Sequence, residues 1–235
     1  MKKFLFLSLL ACSPMASAYW MSSDGGMNLS IGAGSYLLSN EVLKSASKSA
    51  AKKKDTPSSS TQKESSKSLT TTKFRRSGST AGLDALIATY PAAMQADARA
   101  QYLGLFNAYP QVAQQLGVPV DDVATGLASF LVGAYMAYHN ATFEDRHVKA
   151  IANQLRQAMT GDAMFARMSD ADKQKTYDQL VMLGMMMAVT QSHLQKQPDP
   201  RIESDLKEVG KQFLEGMFKV SADRVRLSGA GLQIN

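Results

Sequence analysis

The chain has 235 residues and a formal net charge of +6, with 45% hydrophobic residues. Its one cysteine, Cys12, excludes an intramolecular disulfide and a zinc site built from several thiolates. Residues 44–76 contain ten Lys and Arg but two acidic residues, whereas residues 81–235 contain fourteen Lys and Arg and sixteen Asp and Glu. We therefore expect any attraction to anionic partners to act through the segment that precedes residue 81.

Residues 1–18 have the three parts of an export signal in the usual order. Lys2-Lys3 is a short basic region, and residues 4–11 are apolar. Ala16-Ser17-Ala18 then fits the small-x-small pattern of a cleavage site. The apolar stretch is shorter than the ~20 residues that span a bilayer, so it is not a permanent anchor. We expect a mature protein that begins at Tyr19 and is periplasmic or secreted.

Leu9-Leu10-Ala11-Cys12 supports an alternative processing route, because it resembles a bacterial lipobox. In that route Cys12 is lipidated and becomes the first residue, and the lipid tethers the protein to a membrane surface. Cleavage after Ala18 instead leaves a mature chain without cysteine.

Residues 19–43 form an N-terminal segment of uncertain structure that is rich in apolar side chains. These side chains are Tyr19, Trp20, Met21, Met27, Ile31, Tyr36, Leu37 and Leu38. At a mature N-terminus they could dock on the rest of the protein or on a partner. Residues 44–80 are rich in Ser, Thr and Lys and nearly lack apolar residues. Such a composition buries too little surface to offset chain entropy, so it predicts a disordered linker.

The basic residues of this linker allow two interpretations. They are either the charges of a solvated spacer or a polybasic arm that contacts an envelope protein or an anionic surface such as lipid headgroups. The residues concerned are Lys52, Lys53, Lys54, Arg75 and Arg76. The arm lacks interleaved aromatic residues for base stacking, so we expect no specific nucleic-acid binding.

From Leu83 onward the apolar residues recur every three to four positions, which is typical of amphipathic helices. We predict an all-α domain over residues 81–235, a compact bundle of about five to seven helices joined by short loops. A helix that runs to about Tyr138 has few charges on any side, which predicts a central position in the bundle. The tail around residues 225–229 reads as a short extended cap.

Two positions carry more specific expectations about helix starts. Pro110 follows Tyr109, and we expect it in a first helical turn, where its missing N–H is not needed. Asp121 and Asp122 are expected in the first turn of the central helix, where carboxylates interact favourably with the helix dipole.

His139, Glu144 and His147 form one candidate metal site. Glu144 and His147 have the i, i+3 spacing that places a carboxylate and an imidazole on one helix face. Helical di-iron sites use this motif twice, together with further carboxylates, and here it occurs once. A solvated helix start is the simpler interpretation.

Met182, Met185 and Met186, with His193 further along, form a second candidate. Outside the cytoplasm, clustered thioethers bind Cu(I). A methionine stripe at helical spacing is also the expected buried face of a helix, and Gly184 between these residues would permit a close helix crossing.

Motifs for hydrolysis and phosphate binding are missing from the sequence. It contains no Gly-x-Ser-x-Gly elbow and no Gly-rich loop that follows a strand. Asp121, Asp122 and Glu144 are dispersed acids whose positions near helix starts explain them without catalysis. The sequence therefore favours a non-catalytic protein without a cofactor.

Residues 102–110 and 116–124 resemble an uncharacterised bacterial family of exported helical proteins. The motifs Leu131-Val132-Gly133-Ala134-Tyr135, Leu183-Gly184-Met185 and Gln197-Pro198-Asp199-Pro200 add to the resemblance. It implies export and a helical domain, and it implies no activity or site. From the sequence we expect an exported helical protein that acts by macromolecular interaction, and the alternative is a metal-binding protein or enzyme that uses the Met and His residues named above.

Overall fold

A computed structural model of the chain describes residues 71–163 and 165–235. The predicted export signal, the segment 19–43 and residues 44–70 of the predicted linker lie outside these ranges. Within them the chain forms six α-helices, namely α1 (Ala81–Ile87), α2 (Gln95–Leu116), α3 (Val123–His139), α4 (Asp145–Thr160), α5 (Asp170–Leu194) and α6 (Pro200–Phe218). Two short strands follow, β1 (Val225–Ser228) and β2 (Gly231–Ile234). The prediction of an all-α bundle of about five to seven helices is confirmed.

Helix α3 is the centre of the bundle, and α4, α5 and α6 all pack against it. It contains no Lys, Arg, Asp or Glu, and its large side chains Leu127, Phe130 and Leu131 are fully buried. Each such side chain contributes about 1.5–3 kcal/mol when it leaves water. The predicted central position of this helix is therefore confirmed, because an uncharged surface all round leaves no face that favours solvent.

Glycines set the distance between α3 and its neighbours. A Cβ atom at Gly133 would collide with the carbonyl oxygen of Gly184, and a Cβ atom at Gly184 would lie 2.6 Å from that of Ser129. On the α6 side, a Cβ atom at Gly210 would lie 2.7 Å from the carbonyl oxygen of Ala134. The backbones of α3, α5 and α6 thus touch where side chains are missing, as Gly184 led us to expect for α5.

The outer helices α4 and α6 each bury one face. Ile151, Leu155 and Met159 of α4 are fully buried, and Leu206 and Phe213 of α6 point into the same core. Their other faces carry charged residues, so these helices gain stability mainly from the packing of the apolar face.

The C-terminal strands form an antiparallel hairpin that closes over α4. Val225 pairs with Ile234, and Leu227 pairs with Leu232. The buried amide of Gln154 on α4 accepts a hydrogen bond from the backbone N–H of Leu232 at 2.6 Å and donates one to the Leu232 carbonyl at 2.9 Å. The expected extended cap is therefore the first strand of a hairpin that a single glutamine side chain ties to the bundle.

Residues 71–80 correct the predicted boundary of the disordered linker. Thr72 and Phe74 are buried. The backbone N–H of Val123 donates to the carbonyl of Thr72 at 3.0 Å, and that of Phe74 donates to the carbonyl of Asp121 at 3.1 Å. We call residues 71–76 the strap. Composition averaged over the whole linker missed it, because only a few of its residues make the contacts that hold it on the folded domain.

The expectations for Pro110 and Asp122 also need correction. Pro110 lies inside α2 rather than in its first turn. Asp122 is the N-cap of α3, where its side chain accepts a hydrogen bond from the N–H of Ala124 at 3.0 Å, and it is completely buried. Asp121 precedes the cap with a left-handed φ of 54°. The sequence pattern located the start of α3 to within two residues. The exact start depends on the strap, which pairs with the backbone at Asp121 and Val123.

Replacing Gly184 with Ala is expected to destabilise the fold by about 1–3 kcal/mol, because the added methyl group meets backbone atoms of α3 that cannot rotate away. Gly216→Ala in α6 is the matched control. A Cβ atom at Gly216 meets nothing within 4 Å, so this variant should gain up to about 1 kcal/mol from helix propensity. Urea unfolding followed by circular dichroism measures both. A Gly184→Ala protein as stable as the wild type would show that α3 and α5 do not depend on this contact.

Candidate functional site: an apolar groove beside α3

An apolar groove of about 120 Å³ lies between the second half of α2, the middle of α3, the start of α4 and the second half of α5. Its walls are mainly aliphatic and thioether side chains. They include Val112, Leu116, Val132, Met136, Met185 and Val189. A concave apolar surface with a few polar groups is the usual form of a binding site.

The groove exists because small residues line its floor. Gly133 and Gly184 bring α3 and α5 into backbone contact there, and Ala108 and Ala188 flank them. Larger side chains at these four positions would fill the space between α2 and α5. The same glycines that bring two helices together therefore leave room above their crossing.

Tyr109 and Ser129 provide the polar groups in the deepest part of the groove. The Ser129 hydroxyl donates to the carbonyl of Thr125 at 3.0 Å, so the Tyr109 hydroxyl is the donor in the 2.7 Å hydrogen bond that joins Tyr109 and Ser129. Burial raises the pKa of Tyr109 to about 12. The phenol therefore stays protonated at neutral pH. Among the described residues, the hydrogen-bond partners found for Ser129 are this phenol and the Thr125 carbonyl, and neither is a base that would make Ser129 a nucleophile.

The rim of the groove is polar and carries one acidic group. Gln111 and Gln115 are exposed on α2, and Ser192 lies on α5. Asp145, the first residue of α4, stands at the other side, and burial beside the groove raises its pKa. Amide groups on the rim can pair with the backbone of an extended polypeptide, whereas the interior offers only apolar contact.

A second polar cluster lies under the strap, outside the groove. Arg76 donates through Nε to Asp121 at 2.8 Å and through an NH group to Asp178 at 3.0 Å. Its guanidinium also lies 5.1–5.5 Å from the ring centroids of Phe74, Phe106 and Tyr177. Burial raises the pKa of Asp178 to about 6, and the positive charge of Arg76 opposes this effect.

Arg76, one of the basic residues expected to contact an anionic partner, pairs here with Asp121 and Asp178 and so holds the strap on the bundle. Its contact with a partner stays a prediction. Arg75 is exposed, and Lys52, Lys53 and Lys54 lie outside the described residues. Among the dispersed acids, Asp121 pairs with Arg76, and Asp122 pairs with Arg156 at 3.0 Å.

The histidine candidates lie in an aromatic cluster near the end of α3. The ring of His139 lies 4.2 Å from that of Tyr135, and the ring of His147 lies 5.9 Å from that of Phe143. Glu144 Oε2 is 3.7 Å from His147 Nε2. Burial, together with the positive charge of Arg226, lowers the pKa of His139, so this ring is neutral at pH 7.

The methionine candidates divide between the core and the groove. Met182 and Met186 are buried in the core, as expected of an apolar helix face, and Met185 is half-buried at the groove wall. His193 is exposed near the end of α5. Within residues 71–163 and 165–235, no three His, Cys, Asp or Glu side chains are arranged to hold a metal ion. The metal-binding alternative stays a prediction.

A comparison with protein-family models matches residues 4–235 to a family of unknown function, DUF6683. The chain belongs to the DUF6683 family. The match covers nearly the whole chain, including the segments that precede the strap. Searches of curated proteins and of solved structures found no significant match. Membership of DUF6683 therefore gives the chain relatives without giving it an activity.

None of the helices in the described part of this DUF6683 protein has both the length and the apolar composition needed to cross a membrane. Sequence reasoning missed the groove residues Tyr109, Ser129 and Asp145. A signal for the groove was present in the small residues of two apolar helices, Gly133 of α3 and Gly184 and Ala188 of α5. The spacing of these small residues predicts that two helices approach closely. It does not predict whether a groove is left beside the point where they cross.

Asp178 gives the fold a specific pH dependence. Its pKa of about 6 in the folded state lies above the ordinary 3.8, so the folded state binds the proton more tightly. The stability that protonated Asp178 contributes to the fold is therefore fully present below about pH 4 and is lost as the pH rises through 6. Wild-type stability should therefore fall between pH 4 and 7 relative to Asp178→Asn by on the order of 2 kcal/mol. Urea unfolding of both proteins across this range measures the difference. Parallel pH profiles would contradict the predicted desolvation of Asp178.

Proposed function

We propose that this protein is exported and acts without catalysis, by binding an apolar segment of another polypeptide in the groove between α2, α3, α4 and α5. The observation that carries the proposal is the groove itself, an apolar concavity that is open to solvent and flanked by amide side chains. Its polar interior pair, Tyr109 and Ser129, is already hydrogen-bonded, so it favours binding over chemistry.

The size of the groove supports a polypeptide anchor. A cavity of about 120 Å³ accepts one large apolar side chain, which contributes roughly 1.5–3 kcal/mol on burial. Gln111 and Gln115 lie where the flanking backbone of such a segment would pass, and their amides can replace its lost hydrogen bonds to water. One anchor gives weak binding, so a second contact is needed for a stable complex.

The basic residues of the linker could supply that second contact. Lys52, Lys53 and Lys54 form a run of positive charge that precedes, in the sequence, a domain with a slight excess of acidic residues. We propose that they attract an anionic surface of the envelope or of the partner itself. Two weak contacts joined by a flexible chain bind more tightly than either alone.

The groove contact is tested by blocking it. Ala188 lines the groove, and Ala188→Trp fills it, whereas Ala100→Trp adds the same side chain to an exposed position of α2. A photo-crosslinking amino acid at Gln115 should capture a discrete partner in intact cells. We expect Ala188→Trp to lower the yield about tenfold, which corresponds to the loss of ~1.4 kcal/mol of binding, and Ala100→Trp to leave it unchanged.

The same crosslinker at Gln212, on the exposed face of α6, serves as the control for position. Equal capture at Gln115 and Gln212, or capture that survives Ala188→Trp, would overturn the proposed use of the groove.

Export is tested by the N-terminus of the protein recovered from cells. We expect the processed chain to begin at Tyr19 and to be found in the periplasmic fraction, since cleavage follows Ala18. The lipoprotein route gives a chain that begins at a lipidated Cys12 and fails to form in Cys12→Ser. An intact chain in the cytosol would contradict both routes.

A further inference from the structure

The strap fixes where the preceding chain leaves the domain. Lys173 on α5 donates through Nζ to the carbonyl of Thr71 at 2.9 Å, in addition to the backbone hydrogen bonds that join the strap to the start of α3. Thr71 and Thr72 are therefore held at the start of α3, beside Lys173 and Val123. The chain that precedes them is joined to the domain at this point.

The groove begins close to that point. Ser129 lies seven residues after Asp122 on the same helix, which corresponds to about 10 Å along the axis. A flexible chain of the length of residues 44–70 has an end-to-end distance of roughly 30 Å. A segment at the far end of this linker therefore reaches the whole groove without strain.

The chain beyond the linker carries the kind of side chain that the groove accepts. Residues 28–43 include Tyr36-Leu37-Leu38, whereas residues 44–68 contain no large apolar side chain. An apolar cavity of about 150 Å³ is large enough to bind benzene. The groove, at about 120 Å³, is of similar size and so accepts one leucine or aromatic side chain. Tyr36-Leu37-Leu38 is thus joined to the domain by a spacer without large apolar side chains, which is the arrangement expected of a tethered ligand.

Charge favours the same pairing. The segment 28–43 carries one charge of its own, Glu41, but Lys44 and Lys48 follow it, and Asp145 stands at the groove rim. Residues 44–76 are strongly basic, whereas residues 81–235 contain more acidic than basic residues. The match to DUF6683 also runs from residue 4 to residue 235, so the segment and the groove belong to one family unit.

We propose that residues 28–43 of this chain occupy the groove in cis, with Tyr36-Leu37-Leu38 as the anchor, and that an external partner must displace them. This inference rests on the proposed function, because it takes the groove to be a binding site. The tether holds the segment at an effective concentration in the millimolar range. A contact that would be too weak between separate molecules is therefore substantially formed within one chain.

The test uses the full processed chain and the neutral fluorescent probe N-phenyl-1-naphthylamine, which binds apolar sites. The triple variant Tyr36→Asp, Leu37→Asp, Leu38→Asp removes the anchor and leaves residues 71–235 unchanged. The triple variant Ser58→Asp, Ser59→Asp, Ser60→Asp adds the same charge within the linker and serves as the control. We expect the anchor variant to bind the probe about tenfold more tightly than the wild type and the control, because the competing segment is lost. Adding Ala188→Trp should abolish this gain.

The other outcomes separate the two proposals. If the anchor variant and the wild type bind the probe equally, while Ala188→Trp weakens binding in both, the groove is a binding site and occupation in cis is overturned. If Ala188→Trp has no effect in either background, the groove is not the probe site, and the proposed function fails as well. If wild-type affinity for the probe rises when the protein is diluted, the segment occupies the groove of a second copy, which also overturns the inference.

Discussion

The contact between Gly133 of α3 and Gly184 of α5 is the constraint on which the rest of the structure depends. It brings together the backbones of the two most extensively buried helices, and a single methyl group at either position would collide with main-chain atoms. Since close-packed interiors respond sharply to added volume, this crossing fixes the relative positions of α3 and α5. Helices α4 and α6 then pack against this fixed pair of helices. The hairpin, which Gln154 joins to α4, packs with them.

The groove is a consequence of the same constraint. Where α3 and α5 meet through glycine, the surface above the crossing lacks side chains, and α2 passes over it without closing it. The protein therefore obtains a concave apolar site from residues whose first role is packing. Its few polar groups are either hydrogen-bonded to each other or placed at the rim, which is why binding rather than catalysis is the activity that we propose.

The strap gives the molecule its second organising feature. Arg76 lies among three aromatic rings and two carboxylates, one of which, Asp178, has a pKa raised by burial. Asp178 is largely buried, and removing Arg76 would leave its carboxylate without this counter-charge, so the strap is held by more than its two backbone hydrogen bonds. It is fixed at the start of α3, the helix that also lines the groove.

The sequence by itself determined the helical class, the central position of the uncharged helix and the buried faces of the outer helices, because the period of the apolar residues and the lack of charge act locally. Only the tertiary structure decided that the strap is packed, that Pro110 lies within a helix, and that Tyr109, Ser129 and Asp145 share one groove. These features depend on contacts between residues far apart in the chain, such as Arg76 with Asp178 and Gly133 with Gly184. Composition and spacing carry no information about such pairs, since the space between two helices is fixed only when both are in place.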